Sequence, residues 1–154
     1  MNPDAERLRF LLDTVGKEQK HLLLTTERLF AETIDADWVA SLEERPDVAE
    51  RLDAFVARFG RMQDTIGEKL IPAVMTHLLE TPGSNLDNLN RMEKLGLLPS
   101  VDEWVEAHNL RNRLIHEYMD EPGTFAGALN RARELVTVLT TTYRNLTDHV
   151  QLDR

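Results

Sequence analysis

Apolar residues recur at steps of three and four over most of the chain, and prolines and glycines cut that rhythm into helix-length pieces. The first piece opens at Asn2-Pro3, where asparagine suits an N-cap and proline the first helical position. Leu8, Leu11, Leu12, Val15, Leu22, Leu23, Leu29 and Phe30 carry helical spacing to about residue 33, and Gly16-Lys17 is expected to loosen it locally. A short amphipathic stretch, Asp37 to Leu42, ends before Pro46. From Asp47 onward, Val48, Leu52, Phe55, Val56, Phe59, Met62, Ile66, Leu70, Val74 and Leu78 predict a long helix with one buried stripe. Pro72 lies inside it and should kink it, because the ring removes one backbone bond and crowds the preceding turn.

Thr81-Pro82-Gly83-Ser84 is the clearest turn. Leu86, Leu89, Met92 and Leu95 then predict a short helix that Gly96 closes in a left-handed cap. Ser100 with Glu103 three residues on is a capping-box pattern for the next helix. That helix stops at Glu121-Pro122-Gly123. Thr124 can cap a last helix carrying Phe125, Leu129, Ala132, Val136, Leu139, Tyr143, Leu146 and Val150. No strand pattern or internal repeat occurs. The reading is a single all-α domain over residues 1–154, an up-and-down helical bundle of three to four long helices plus one or two short helices.

Composition narrows the chemistry. The 154 residues contain no Cys, which excludes disulfide scaffolds, thiolate zinc sites, iron–sulfur clusters and a Cys nucleophile. A net charge of −9 argues against a general nucleic-acid coat or an anionic-membrane binder, though not against a local basic site. No apolar run approaches the length of a membrane span and the N-terminus lacks an apolar signal core, so a soluble cytoplasmic protein is expected. Glu18-x-x-His21 is a single copy of a motif that di-iron bundles need in pairs, and it reads as solvated polar residues. No metal site and no cofactor is expected. Gly83-Ser84 lacks the downstream Asp-x-Asp that a minimal nucleotidyltransferase would need.

The informative segment is the helix from Ser100 to Asp120. On a wheel of about 100° per residue, Arg111 and Tyr118 fall inside the apolar arc, His108 and Asn112 also lie within it, and His116 sits at its edge. A guanidinium against a core must be paired or must reach water in a cleft. Asn112 and His116, four apart, are neighbours on one side. Either this polar strip lines a cleft or subunit interface, or Arg111 bonds a buried carboxylate and Tyr118 simply packs. Arg113, Arg131 and Arg133, with Arg91 and Lys94 if the short helix packs nearby, could add a modest basic patch.

Leu110-Arg111-Asn112-Arg113-Leu114-Ile115-His116-Glu117-Tyr118 resembles the Arg-x4-His-x-Tyr motif of the HEPN (higher eukaryotes and prokaryotes nucleotide-binding) domain, and most closely its HepT branch, the partners of minimal nucleotidyltransferases. The long helix with Arg61-Met62-Gln63-Asp64 and the last helix suit that family's bundle. The resemblance implies a metal-independent endoribonuclease toxin in which the RNA 2′-hydroxyl is the nucleophile. His116 would then serve as base or acid and Arg111 would stabilise charge on the phosphate, with Asn112 orienting either and Arg113 contacting RNA. It further implies a cognate nucleotidyltransferase antitoxin that adenylylates Tyr118. Arg111 and His116 are five residues apart, about 140° around and roughly 7.5 Å along a straight helix, so one copy cannot easily bring both to a phosphate. A homodimer is therefore required by the mechanism. Two other readings stay open: a non-catalytic nucleotide- or partner-binding subunit, and a purely structural helical protein in which Arg111 forms a buried ion pair.

Overall fold

The computed structural model describes residues 2–116 and 121–152, and among these the secondary structure is helical without strands. Helix α1 spans Pro3–Leu29, α2 Ala36–Ala40, α3 Pro46–Thr65, α4 Ile71–His77, α5 Asn85–Lys94, α6 Val101–His116 and α7 Pro122–Leu152. A 3₁₀ turn, Ser41–Glu44, follows α2, and a π turn, Ile66–Leu70, joins α3 to α4. Helix α1 packs along α3 and against α4, α6 lies between α3 and α7, and α2 rests on α7. This is an all-α bundle, and one apolar cluster runs through it from Leu8 to Val150.

Local chemistry explains the helix ends. Asn2 accepts from the Asp4 amide at 2.9 Å, and Asp35 and Ser84 cap α2 and α5 in the same way. Gly96 takes φ 77°, and the Leu97 amide reaches back to the Met92 carbonyl, so the left-handed cap forms as read. Only half of the capping box forms. Ser100 accepts from the Glu103 amide at 3.1 Å, but the Glu103 carboxylate turns to Arg131 and not back to the Ser100 amide; the following amide, Val101, donates to Glu93. At α7 the cap is Glu121, which receives both the Thr124 amide and its hydroxyl, and Pro122 is the first helical residue. Thr124 is a donor here and not the cap.

Two breaks expected from single residues take other forms. Helix α1 is continuous through Gly16, and Tyr143 lies against it: a Cβ there would stand 2.8 Å from the Tyr143 hydroxyl, which donates to the Leu12 carbonyl at 2.7 Å. Gly16 serves close approach, not loosening. Around Pro72 the helix inserts the π turn, with the Ile71 amide reaching five residues back to Ile66. Met62, Ile66, Leu70 and Val74 are each four apart, which on an α-helix drifts by about 40° per step. The wider turn absorbs that drift, and all four side chains are fully buried. Leu23, placed in the apolar stripe of α1, is 43% exposed beside Leu24, so that stripe is narrower than its sequence suggests.

The buried Gln63 fixes α6 on α3. Its side-chain amide donates to the Trp104 carbonyl at 2.7 Å, and this sets which α6 residues face the outer surface of α3.

Candidate functional site

Helix α6 carries Arg111 across the outer side of α3. Its Nη2 donates to Asp64 Oδ2 at 2.9 Å, with the Arg111 side chain 20% exposed and Asp64 40% exposed. The arginine lies flat over Gly60: a Cβ at that position would meet Arg111 Nε at 2.8 Å and Cδ and Cζ at 3.1 Å. Nε is sealed there without a hydrogen-bond partner. Such a donor has lost its water without replacement, so the guanidinium is held by packing on one side and by Asp64 on the other.

These residues line a groove of about 350 Å³, with Arg61, Lys69 and Glu68 contributing further charge and Ile115 an apolar edge. Of the polar strip on α6, Arg111 is the residue that lines this concavity, while His108 lines a separate one. The alternative in which Arg111 bonds a carboxylate also describes what is seen, since Asp64 is that carboxylate. The pair is open to water and is not a buried one.

The other predicted residues are dispersed. Asn112 turns one helical turn back, its amide nitrogen 3.3 Å from His108 Nε2. His116 is exposed at the last residue of α6, and Ile115 beside it is 50% exposed. Arg113 is exposed on the same helix. Tyr118 lies outside the described residues. The expected basic patch does not gather. Arg131 is committed to Glu103, Glu106 and Glu134, Arg91 to Glu80, and Arg133 sits over the Phe30 ring.

Sequence reasoning passed over a second set of groups. Glu18 on α1 accepts from the Thr65 hydroxyl at 3.0 Å through one oxygen, while its other oxygen is buried without a partner. Burial pushes its carboxyl above the usual range, against the lowering effects of the Thr65 hydroxyl and of Arg61 and Lys69. It is therefore not the solvated residue its isolated motif suggested. With His21, Arg58 and Arg61 it lines a neighbouring groove of about 270 Å³, so Arg61 borders both concavities. Arg58 spans α3 to α1, donating to the Thr25 hydroxyl and to the His21 carbonyl. Gly60, Asp64 and Arg61 follow helical spacing on the polar side of α3, and that spacing was the available signal for them.

Among the described residues no group of three or more His, Asp or Glu is placed to hold a metal ion, and no helix is long and apolar enough to cross a membrane. No family model matches the chain, and neither the curated proteins nor the solved structures give a match.

Proposed function

We propose that the chain is a HEPN-like, HepT-type endoribonuclease that cleaves RNA without a metal ion and acts as a homodimer. The observation that carries this reading is Arg111, laid over Gly60 and tethered by Asp64 at the wall of an open groove. With Nε sealed over Gly60 and Nη2 on Asp64, the guanidinium in that position offers its positive charge and its remaining terminal N–H groups to a phosphodiester. In the reaction the 2′-oxygen attacks phosphorus, the bond to the 5′-oxygen breaks, and a 2′,3′-cyclic phosphate and a 5′-hydroxyl result. His116 takes the 2′-hydroxyl proton or delivers one to the departing 5′-oxygen, and Arg111 stabilises the phosphorane oxygens.

Dimerisation supplies the geometry. Val105, His108, Asn112 and Ile115 follow each other at steps of three, four and three on α6, and Val105 and Ile115 are 40% and 50% exposed. That heptad-like stripe suits a second copy of the same helix. It would bring the Arg111 of one copy toward the His116 of the other, which the roughly 7.5 Å offset within one helix does not achieve. On this reading a minimal nucleotidyltransferase is the antitoxin partner and Tyr118 its adenylylation target. Phosphate added there would compete for Arg111.

The test is cleavage of a mixed-sequence RNA in chelator by the unmodified protein. Activity that disappears in both Arg111→Ala and His116→Ala, with products ending in a cyclic phosphate, supports the reading. Full activity in either variant overturns it. Binding of RNA without cleavage would leave the non-catalytic subunit as the better account.

A further inference from the structure

Cleavage by the 2′-hydroxyl has two proton transfers, one from that hydroxyl and one to the departing 5′-oxygen, and a single histidine at the phosphate accounts for one of them. For a phosphate held by one Arg111, the proposed dimer brings up the His116 of the second copy. The His116 on the same helix is kept away by its offset of about 140° and roughly 7.5 Å. His108 has the opposite placement. It lies three residues before Arg111, about 60° around α6 and about 4.5 Å along it, so the two side chains are neighbours on one side of the helix. It lines a groove of about 130 Å³ with Trp104, Gly67 and Asn85, and Asp64 and Glu68 line both this groove and that of Arg111. The imidazole and the guanidinium therefore border on the same residue, Asp64, which tethers Arg111.

We infer that His108 is a second catalytic histidine, the acid that protonates the departing 5′-oxygen, and that Asn112 positions it. The inference rests on the ribonuclease reading and completes its proton account. The His116 of the second copy takes the 2′-hydroxyl proton, and the 2′-oxygen bonds to phosphorus. The bond from phosphorus to the 5′-oxygen breaks as protonated His108 gives that oxygen its Nδ1 proton. A cyclic phosphate, a 5′-hydroxyl, a neutral His108 and a protonated His116 result, and exchange with water resets both rings. Asn112 decides which nitrogen of His108 acts. Its side-chain nitrogen is 3.3 Å from His108 Nε2, and a carboxamide carries both a donor and an acceptor, so it can meet Nε2 with or without a proton there. Either way Nε2 is engaged and Nδ1 is the nitrogen left for the substrate. Asp64 and Glu68 give a positively charged ring opposite charge to face in the groove, and the ring that starts the reaction protonated is the acid.

The experiment compares two substrates for the full-length protein in chelator: a short RNA, and the same RNA with sulfur in place of the bridging 5′-oxygen at one linkage. A thiolate departs without a proton, so the sulfur substrate has no need of the acid. His108 is exposed, and His108→Ala is expected to fold as the wild type does. It should cut the oxygen substrate about 100-fold more slowly with KM within about threefold, and the sulfur substrate within about threefold of the wild-type rate. Asn112→Ala should lower kcat on the oxygen substrate by about tenfold at unchanged KM and spare the sulfur substrate, as a positioning residue does. Arg111→Ala and His116→Ala should be slow on both substrates. An equal loss on both substrates in His108→Ala, or no loss on either, overturns the assignment. The outcome separates from the ribonuclease reading. Cleavage that needs Arg111 and His116 but not His108 removes the acid alone, whereas a wild type that cuts neither substrate removes the ribonuclease reading and the acid with it.

Discussion

Replacing Gly60 by alanine sets two effects of similar size against each other. Glycine inside a helix is about 0.5–1 kcal/mol less favourable than alanine, so the substitution by itself stabilises α3. The new Cβ, however, would stand 2.8 Å from Arg111 Nε and 3.1 Å from two more of its atoms, and real contacts of that kind do not persist. Arg111 must move, and it is the softest of the groups involved. Moving it releases the 2.9 Å bond to Asp64, whose side chain is 40% exposed, so the loss is about 1 kcal/mol or less. The gain and loss nearly cancel in the wild-type background. In Arg111→Ala the obstacle is gone and only the helix term remains.

Chemical denaturation of the four proteins in the cycle measures this directly. Gly60→Ala should change stability by under about 0.5 kcal/mol alone and should stabilise by about 1 kcal/mol in Arg111→Ala, a coupling near 1 kcal/mol. On the proposed function Gly60→Ala should also lose RNA cleavage while remaining folded, since the guanidinium no longer lies along the groove. Equal stabilisation in both backgrounds would refute the placement of Arg111 over Gly60, and with it the geometric basis of the site.

Three other outcomes follow from particular residues. Leu79 adopts φ 63° at 95% exposure, so Leu79→Gly relieves left-handed backbone strain with little packing to lose, and thermal unfolding should show a gain of about 1 kcal/mol; a destabilised variant would mean that the side chain is covered. The Glu18 carboxyl has its pKa raised by burial, so it binds its proton more tightly folded than unfolded, and its contribution weakens as pH climbs from below 4.5 through its folded pKa. The stability of Glu18→Gln relative to wild type should therefore rise from acid toward neutral pH, the reverse of the effect at Glu32 and Glu106, whose pKa values are lowered by hydrogen bonds from Arg45 and Arg131; a flat difference contradicts the burial. RNA binding through Arg61, Lys69 and Arg111 should have a log–log salt slope of about −2, and a slope several times steeper would place the contacts elsewhere.

The bundle was readable because its evidence is periodic. The stripes of α3 and α7 became the core almost residue for residue, and caps such as Asn2 and Gly96 depend on neighbours within a turn. What depended on contact at long range was not readable. Gly16 resembled a weak point until Tyr143, far along the chain, was seen to rest on it. Glu18 looked solvated because its partner Thr65 lies 47 residues away. Helical spacing could also say that Arg111 needed a partner or a cleft without saying which, and Asp64 with the groove supplies both. Asn112 had two neighbours one turn away, and the sequence contained nothing to choose His108 over His116.

The Arg111–Asp64 pair has to be weighed by magnitude, because an ion pair can serve as structure or as a reservoir for a ligand. A pair meant for stability gains most from two-point contact between a guanidinium and a carboxylate, as Arg131 makes through Nε and Nη2 to the two oxygens of Glu106. Arg111 makes one bond to Asp64 and leaves Nε without a partner, an arrangement poor in stabilisation. A weak tether has a different advantage. On the proposed function it keeps the cation at the groove wall, limits the entropy lost on binding a phosphate, and is cheap to displace. Some arginines elsewhere are absorbed by carboxylates, Arg131 by three of them and Arg91 by Glu80, whereas this groove sets three cations against two carboxylates. Charges more than about 10 Å away are largely screened at ordinary salt, and what a phosphodiester meets is set by Arg61, Lys69 and Arg111 against Glu68 and an Asp64 already engaged. An acidic protein can on these terms hold a short anionic segment at one place while repelling nucleic acid everywhere else.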